Sequence, residues 1–278
     1  MKRTLSLETK PIRIDVTVDD RRTTATSSKG NQTKWCKDDK QWVKAEFLGY
    51  EGIVECVSSF VAHNTNIGDF APIVDYFPCY GTAEGQAYTG CYSNNFLAPG
   101  ESCVTIQRLM TFQHGKGMEK RMERMSTKDR IKTVVDFVVE ETGITNFGQW
   151  LTCLMEFDNL ILNEDKHLHN IAVIRKPDNT YKLMPLFDNG AAFCSNTTKD
   201  YPLSMPIQTC LRNVKAKPFN KSFKAQVSAC RELYDAQLAV NLSASDISLE
   251  LLNIFESYTP AIKVRIVKIL KTQLSLIY

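Results

Sequence analysis

Residues 158–193 read DNLILNEDKHLHNIAVIRKPDNTYKLMPLFDNGAAF and decide the fold of the chain. Five positions separate Asp165 from Asn170, so one tight loop can direct both side chains at a common point. Two apolar runs within 171–187, joined by a Pro-Asp-Asn turn, predict a β-hairpin. The hairpin would return Asp188 to the side of Asn170.

These three polar side chains suit the transfer of a phosphoryl group. Such a reaction needs a carboxylate that orients or deprotonates the attacking hydroxyl, and oxygen ligands that hold magnesium against a triphosphate. Asp165 can supply the first, and Asn170 and Asp188 can supply the second. Taken singly, Asp, Asn and His are ordinary loop residues. The order Asp-x-His-x-x-Asn, a hairpin and then Phe-Asp-x-Gly is much less expected by chance.

Two segments of this stretch resemble a known family. Residues 163–170 (NEDKHLHN) look like the catalytic loop of HipA-like kinases, which is close to that of the phosphatidylinositol 3- and 4-kinases. Residues 186–190 (LFDNG) look like their metal-binding segment. The resemblance implies that Asp165 is the catalytic aspartate, and that Asn170 and Asp188 are the Mg²⁺ ligands.

The loop departs from the eukaryotic protein-kinase pattern at its histidine. In that pattern no histidine stands between the aspartate and the asparagine, and the metal segment is Asp-Phe-Gly rather than Asp-Asn-Gly. We expect His167 to brace the loop or to contact the γ-phosphate rather than to act as a base. His169 has no assigned role.

The N-terminal part begins with alternating apolar residues at 11–18, which predict a strand. The hydroxyl-rich stretch 21–34 follows, and its backbone amides and hydroxyls, with Ser28 and Gly30, could bind ATP phosphates. The alternative is an ordinary polar loop, since the stretch contains no Walker A motif. Relatives in the family can phosphorylate a serine in the corresponding loop. The resemblance therefore implies inhibitory autophosphorylation at Ser27 or Ser28.

Lys44 lies on a short apolar strand at 42–46 and is the candidate for neutralising the α- and β-phosphates. The alternative is an exposed strand lysine. A helix through about residue 63 follows, and an acid early in that helix is how kinases hold the lysine. Glu51 is the first choice as partner and Glu55 the second. Residues 34–55 also resemble HipA-like kinases, especially the cell-translocating kinase A branch.

Strands are predicted at 72–77 and 101–110. The second strand occupies the place where a kinase links its two lobes. An extended linker there would offer backbone groups of Gln107 and Leu109 to adenine, an assignment that depends only on order along the chain.

The second half is predicted to be helical. The basic stretch 114–132 contains acids too, which favours a solvated helix and loop over a nucleic-acid site. Polar residues from 194 to about 206 would form an activation or substrate-binding segment. Further helices are predicted at 131–143, 147–161, 221–241, 246–257 and 260–276. The last is expected to pack on the core rather than on a membrane surface.

Composition narrows the class of protein. Of the 278 residues 43% are hydrophobic, and the net charge of +3 is too small to indicate nucleic-acid binding. A run of about 18 apolar residues, which a membrane span needs, is absent, as is the apolar region of a secretory signal. The nine cysteines form no Cys-x-x-Cys pair, which favours reduced thiols in a cytoplasmic protein.

Together these features predict an α+β, two-lobed protein-kinase-like fold, with a β-rich N-lobe at 1–110 and a helical C-lobe at 111–278. The favoured function is transfer of the ATP γ-phosphate to serine or threonine of a protein substrate, with Mg²⁺. The alternatives are a lipid or small-molecule kinase of the same fold and a non-catalytic binding module. The resemblance to HipA-like kinases also implies an antitoxin or a host protein as a binding partner.

Overall fold

A computed structural model describes residues 10–22, 33–115 and 121–277 and arranges them in two lobes. The first lobe is a six-stranded sheet in the order β1-β5-β6-β4-β3-β2, antiparallel except for the parallel pair β1–β5. Its strands are β1 (Ile12–Arg13), β2 (Arg21–Arg22), β3 (Lys34–Lys37), β4 (Gln41–Ala45), β5 (Phe77–Ala83) and β6 (Gln86–Asn94). Helix α1 (Glu51–His63) packs against this sheet and has an almost entirely buried surface.

The predicted strand at 11–18 is shorter than the alternation suggests. Ile14 and Val16 are buried as expected, but only Ile12–Arg13 forms a regular strand. The side chain of Asp15 accepts hydrogen bonds from the backbone and hydroxyl groups of Thr82 at 2.8 Å each. These bonds replace part of the strand ladder.

The second lobe contains a small antiparallel sheet in the order β7-β8-β9 and most of the helices. Its strands are β7 (Ser102–Thr105), β8 (Ala172–Arg175) and β9 (Tyr181–Leu183). Its helices include α2 (Ile106–His114), α3 (Thr127–Thr142), α4 (Phe147–Ile161), α5 (Ile207–Asn213), α6 (Phe223–Tyr234) and α7 (Pro260–Ile277). The hairpin predicted from residues 171–187 is confirmed as β8–β9.

Two predicted strands before the hairpin are wrong in part. Residues 73–76 lie outside the main sheet, and Val74 N instead donates to Leu186 O at 3.0 Å. The strand predicted at 101–110 stops at Thr105, whose hydroxyl accepts the amide of Arg108 at 3.1 Å and caps α2. This cap starts helix α2 at Ile106, whereas the apolar pattern predicts that the strand continues to residue 110.

Residues 95–101 connect β6 of the large sheet to β7 of the small sheet, and the lobe boundary at 110 stays a prediction. The prediction that Gln107 and Leu109 offer extended backbone to adenine is therefore wrong, since both lie in α2. The predicted helix at 221–241 ends at Tyr234. The one predicted at 246–257 is reduced to the 3₁₀ turns Ala244–Asp246 and Leu249–Leu252.

Most of the apolar core belongs to one continuous cluster that runs from α1 through α3 and α4 to α7. All nine cysteines lie in the described ranges and none of them forms a disulfide; eight are buried, and Cys103 is partly exposed. Helix α7 packs on this core, as predicted. Within the described ranges, no helix is both long and apolar enough to cross a membrane.

Candidate active site

The loop after α4 fixes the predicted catalytic aspartate through its own backbone. Asn163 donates to the carboxylate of Asp158 at 3.0 Å and accepts the amide of Asp165 at 3.2 Å. His167 N donates to Asp165 O at 2.9 Å, and the Asn170 side-chain amide donates to the same oxygen at 2.8 Å. Asp165 and Asn170 are thus held on one tight loop, as their spacing predicts.

A buried lysine that sequence reasoning missed ties this loop to the segment after the hairpin. Lys166 donates to Phe187 O and to Asn189 Oδ1, at 3.2 Å each, and lies 3.9 Å from Asp158. Burial raises the pKa of Asp158 to about 7, although Lys166 and Asn163 act in the opposite direction. The sequence places Lys166 inside the motif, but nothing in the motif shows that its ammonium points into the protein.

The hairpin delivers Asp188 to the cleft between two lysines. Its Oδ1 lies 2.8 Å from Lys44 Nζ and its Oδ2 lies 3.2 Å from Lys34 Nζ. Burial alone would raise the pKa of Asp188, but Lys34 and Lys44 outweigh it and hold that pKa well below its usual range. Asp188 is therefore ionised and compensated by both ammonium groups.

Lys44 is buried and lies between two carboxylates. Its ammonium group is 2.5 Å from Glu55 Oε1 and 2.8 Å from Asp188 Oδ1, and it lies 4.9 Å from the centre of the Tyr76 ring. Burial would lower the pKa of Lys44, but Asp188 and Glu55 raise it well above its usual value. The lysine is therefore a fixed positive charge facing the cleft.

The first choice of partner for Lys44, Glu51, is wrong, and Glu55 takes that place. Glu51 is the first residue of α1, and its carboxylate folds back to accept the amides of residues 47–49 at 3.2, 2.7 and 3.2 Å. One turn later, Glu55 faces β4 and also accepts Asn189 N at 2.8 Å. Glu55 therefore links the lysine strand, the helix and the segment after the hairpin.

Lys34 is a further residue of this charge cluster, and the sequence pattern alone gives it no role. The short β3–β4 turn pairs Lys34 directly with Lys44 across the ladder. Directly paired residues of adjacent strands point to the same face of the sheet. The pairing register of β3 and β4 would have identified Lys34. That register follows from the position of the β3–β4 turn, which the sequence alone does not fix.

A cleft of about 820 Å³ opens beside these charges, with predominantly apolar walls. The segment that joins the lobes contributes Phe96 and Leu97, and the residues after β9 contribute Met184 and Phe187. The shape and lining suit an adenine ring next to a phosphate site. The side chain of Gln107 also lines the cleft, but Leu109 does not. Ser28 and Gly30 lie outside the described residues.

Another cation that the sequence analysis missed, Lys217, contacts Asp165 on the loop after α4. Lys217 Nζ lies 2.9 Å from Asp165 Oδ1, and His167 Nε2 lies 3.7 Å from Asp165 Oδ2. Burial lowers the pKa of His167; Asp165 acts against this, while Lys217 and His169 add to it. The neutral imidazole is favoured, which suits a bracing role better than a phosphate-binding charge.

The donor set fits magnesium only together with phosphate oxygens. Asp188 offers a carboxylate, and Asn170 directs its amide nitrogen to Asp165 O, which leaves its carbonyl oxygen to face a ligand. In the ranges that the structure describes, no group of three or more His, Cys, Asp or Glu could hold a metal alone. Mg²⁺ usually keeps few protein ligands and completes its shell with substrate phosphates and water.

Comparisons with known proteins establish the class of fold. No protein-family model and no curated protein sequence matches the chain. Its structure is similar to the crystal structure of the Helicobacter pylori proinflammatory kinase CtkA, with a TM-score of 0.58 and 15% sequence identity over 95% of both chains. The predicted two-lobed, kinase-like α+β fold is thereby confirmed.

We expect Lys44→Ala to reduce phosphoryl transfer at least about 100-fold, because a fixed charge beside the transferring phosphate is lost. The rate should be measured with saturating ATP in a single-turnover assay. Lys34→Ala is the matched variant, since Lys34 contacts only the other oxygen of Asp188 in this cluster. A Lys44→Ala rate within threefold of wild type would assign the phosphate-binding role to Lys34.

We expect Glu55→Gln to lower the transfer rate about 10-fold and Glu51→Gln to leave it within about threefold. Glu55 contacts Lys44 directly, whereas Glu51 accepts the backbone amides of residues 47–49, just before α1. Both variants remove one charge from the same helix, so they serve as each other's control. A larger loss in Glu51→Gln would contradict the pairing described above.

Proposed function

We propose that the chain is a HipA-like kinase that transfers the γ-phosphate of ATP to a serine or threonine hydroxyl of a protein. The observation that carries this proposal is Lys44, which bridges Glu55 and Asp188 at the mouth of an adenine-sized cleft, with Asp165 on the adjoining loop. A binding module has no need for a hydroxyl-orienting carboxylate beside such a cluster. The fold and the loop motif support the same assignment.

In the proposed reaction, each side chain has one task. The triphosphate displaces Lys44 and Lys34 from Asp188, and the two ammonium groups then bind phosphate oxygens. Asp188 and Asn170 would hold Mg²⁺, which when bound neutralises charge on the β- and γ-phosphates.

The acceptor hydroxyl is oriented by Asp165. The oxygen of this hydroxyl forms a bond to the γ-phosphorus as the bond from that phosphorus to the β–γ bridging oxygen breaks. ADP leaves, and the hydroxyl proton passes to the Asp165 carboxylate and then to water.

The chemical class of the phosphoryl acceptor can be determined by a direct experiment. Purified protein should be incubated with ATP, Mg²⁺ and a mixed serine/threonine peptide library, and in parallel with phosphatidylinositol vesicles and free inositol. Phosphoserine or phosphothreonine in the peptides supports the proposal. Phosphate found only in lipid or inositol would assign the same fold to the alternative class of acceptor.

The same samples test autophosphorylation, which stays a prediction because residues 23–32 lie outside the described ranges. A phosphate carries up to about two negative charges. At Ser27 or Ser28 it would compete with ATP phosphates and lower activity. Peptide mapping that finds phosphate only outside 23–33 would contradict self-inhibition without affecting the kinase proposal. An antitoxin or host partner remains an inference from the family resemblance.

A further inference from the structure

A short loop beside the catalytic aspartate carries a concentration of positive charge that the proposed reaction does not use. We call residues 215–221, KAKPFNK, the lysine loop. Its ends are fastened, because Ala216 N donates to Lys221 O at 2.9 Å and Lys215 N donates to Glu164 Oε1 at 2.8 Å. Its centre is anchored by Phe219, which is buried. The lysine loop is thus fixed directly to the residue before Asp165.

The three lysines of this loop differ in their surroundings. Lys217 contacts Asp165 at 2.9 Å and keeps 36% of its side chain exposed. Lys215 and Lys221 are exposed, and no carboxylate in the described ranges forms an ion pair with either. Lys217 therefore lies beside the proposed reacting centre, and Lys215 and Lys221 are solvent-exposed charges on either side of it in the loop.

The chain segment around the loop adds further positive charge, while the carboxylates of Glu164 and Asp165 contact the loop itself. Residues 201–230 contain five cations, Arg212 and the lysines at 215, 217, 221 and 224, and no Asp or Glu. Arg130 of α3 donates to Phe219 O at 3.2 Å, and its other bonds go to the backbone oxygens of Met125 and Glu123. Its guanidinium therefore strengthens the positive field instead of being neutralised by a carboxylate.

The absence of apolar anchors around the loop favours a protein over a lipid surface as the acceptor. A surface that docks on membranes combines basic residues with inserted apolar side chains. Among the described residues, no large hydrophobic residue between 204 and 248 is exposed; the neighbouring examples are Leu203 and Leu249.

From this arrangement we propose that the acceptor is an acidic protein segment, read by the lysine loop, with carboxylates within a few residues of the phosphorylated hydroxyl. The inference rests on the proposed kinase function and specifies its substrate class. An extended peptide advances about 3.3 Å per residue. Carboxylates one to four positions from a hydroxyl held at Asp165 would therefore lie within about 13 Å of it, in the region of Lys215 and Lys221.

The test uses three synthetic serine peptides that differ only in six flanking positions, which are all Glu, all Gln or all Lys. Wild-type protein is compared with the double variant Lys215→Glu/Lys221→Glu. The double variant Lys268→Glu/Lys271→Glu is the matched control, since it makes the same charge change at two exposed lysines of α7. ATP hydrolysis without peptide and thermal unfolding are measured for each protein, so that a folding defect is recognised.

We expect wild type and the α7 variant to favour the Glu peptide over the Gln peptide at least about 10-fold in kcat/KM, from several exposed charge pairs of modest individual strength. Added salt should reduce this preference. In the lysine-loop variant the preference should disappear or reverse, while ATP hydrolysis without peptide remains.

Equal use of the three peptides by wild type, or use of none while ATP is still hydrolysed, would overturn the acidic-acceptor proposal and leave the kinase proposal intact. An unchanged preference in the lysine-loop variant would overturn it too. Phosphorylation of phosphatidylinositol vesicles but not of the peptides would replace a protein acceptor by a lipid one. Loss of every ATP-dependent reaction would instead contradict the proposed function, and the substrate inference would fall with it.

Discussion

Asp188→Ala is expected to abolish Mg²⁺-dependent phosphoryl transfer, with a rate at least about 1,000-fold below that of wild type. Asp188 lines the same cleft as Asn170, and magnesium requires a hard, anionic oxygen. The substitution also leaves Lys34 facing Lys44 without the carboxylate that both contact. ATP can then still bind through its phosphates, but the added stabilisation by Mg²⁺ should be lost.

Asp188→Asn is the control for this prediction, because it keeps the size of the side chain and removes only its charge. Thermal unfolding should be followed for both variants with ATP alone and with ATP plus Mg²⁺. Wild type should gain more stability when Mg²⁺ accompanies the nucleotide, and the variants should gain none beyond ATP alone. Unchanged activity and unchanged Mg²⁺ dependence would refute Asp188 as a metal ligand.

Asp165→Asn is expected to reduce transfer by at least about 100-fold while leaving ATP binding within about threefold of wild type. The amide keeps the shape of the side chain but cannot accept the hydroxyl proton. It also loses its ion pair with Lys217, so Lys217→Ala is measured beside it. If Asp165→Asn binds ATP normally and still transfers phosphate at the wild-type rate, Asp165 has no role in the chemistry.

The local part of the site could be predicted from the sequence because it lies on one short loop and one hairpin. The spacing of Asp165 and Asn170 fixes them on the same turn, and the turn at Pro177 fixes the β8–β9 register that returns Asp188. Local interactions of this kind depend on neighbouring residues alone. The predicted Lys44 strand has the same local character.

The long-range part of the site could not be predicted, since it depends on which side of a helix or strand faces the cleft. Glu51 and Glu55 both follow the Lys44 strand, and only the capping of residues 47–49 by Glu51 leaves Glu55 for the lysine. Lys217 reaches Asp165 across 52 positions of sequence. No period or motif predicts such a contact, because it results from the packing of the lysine loop on Glu164.

The linker prediction failed for a different reason. Residues 101–110 contain an apolar pattern that is compatible with a strand or a short helix, and short apolar runs are ambiguous. The hydroxyl of Thr105 decides the outcome by capping α2. The segment between the lobes that lines the cleft is residues 95–97, which lie upstream of the predicted position.

Transfer of label from ATP is the most direct test of the central claim that this site transfers a phosphoryl group. Wild-type protein should be incubated with Mg²⁺ and an acceptor peptide mixture, once with ATP labelled at the γ-phosphate and once with ATP labelled at the α-phosphate. We expect protein-bound or peptide-bound label from γ-labelled ATP only. Label from α-labelled ATP, or no label from either together with no hydrolysis of ATP, would contradict the kinase assignment.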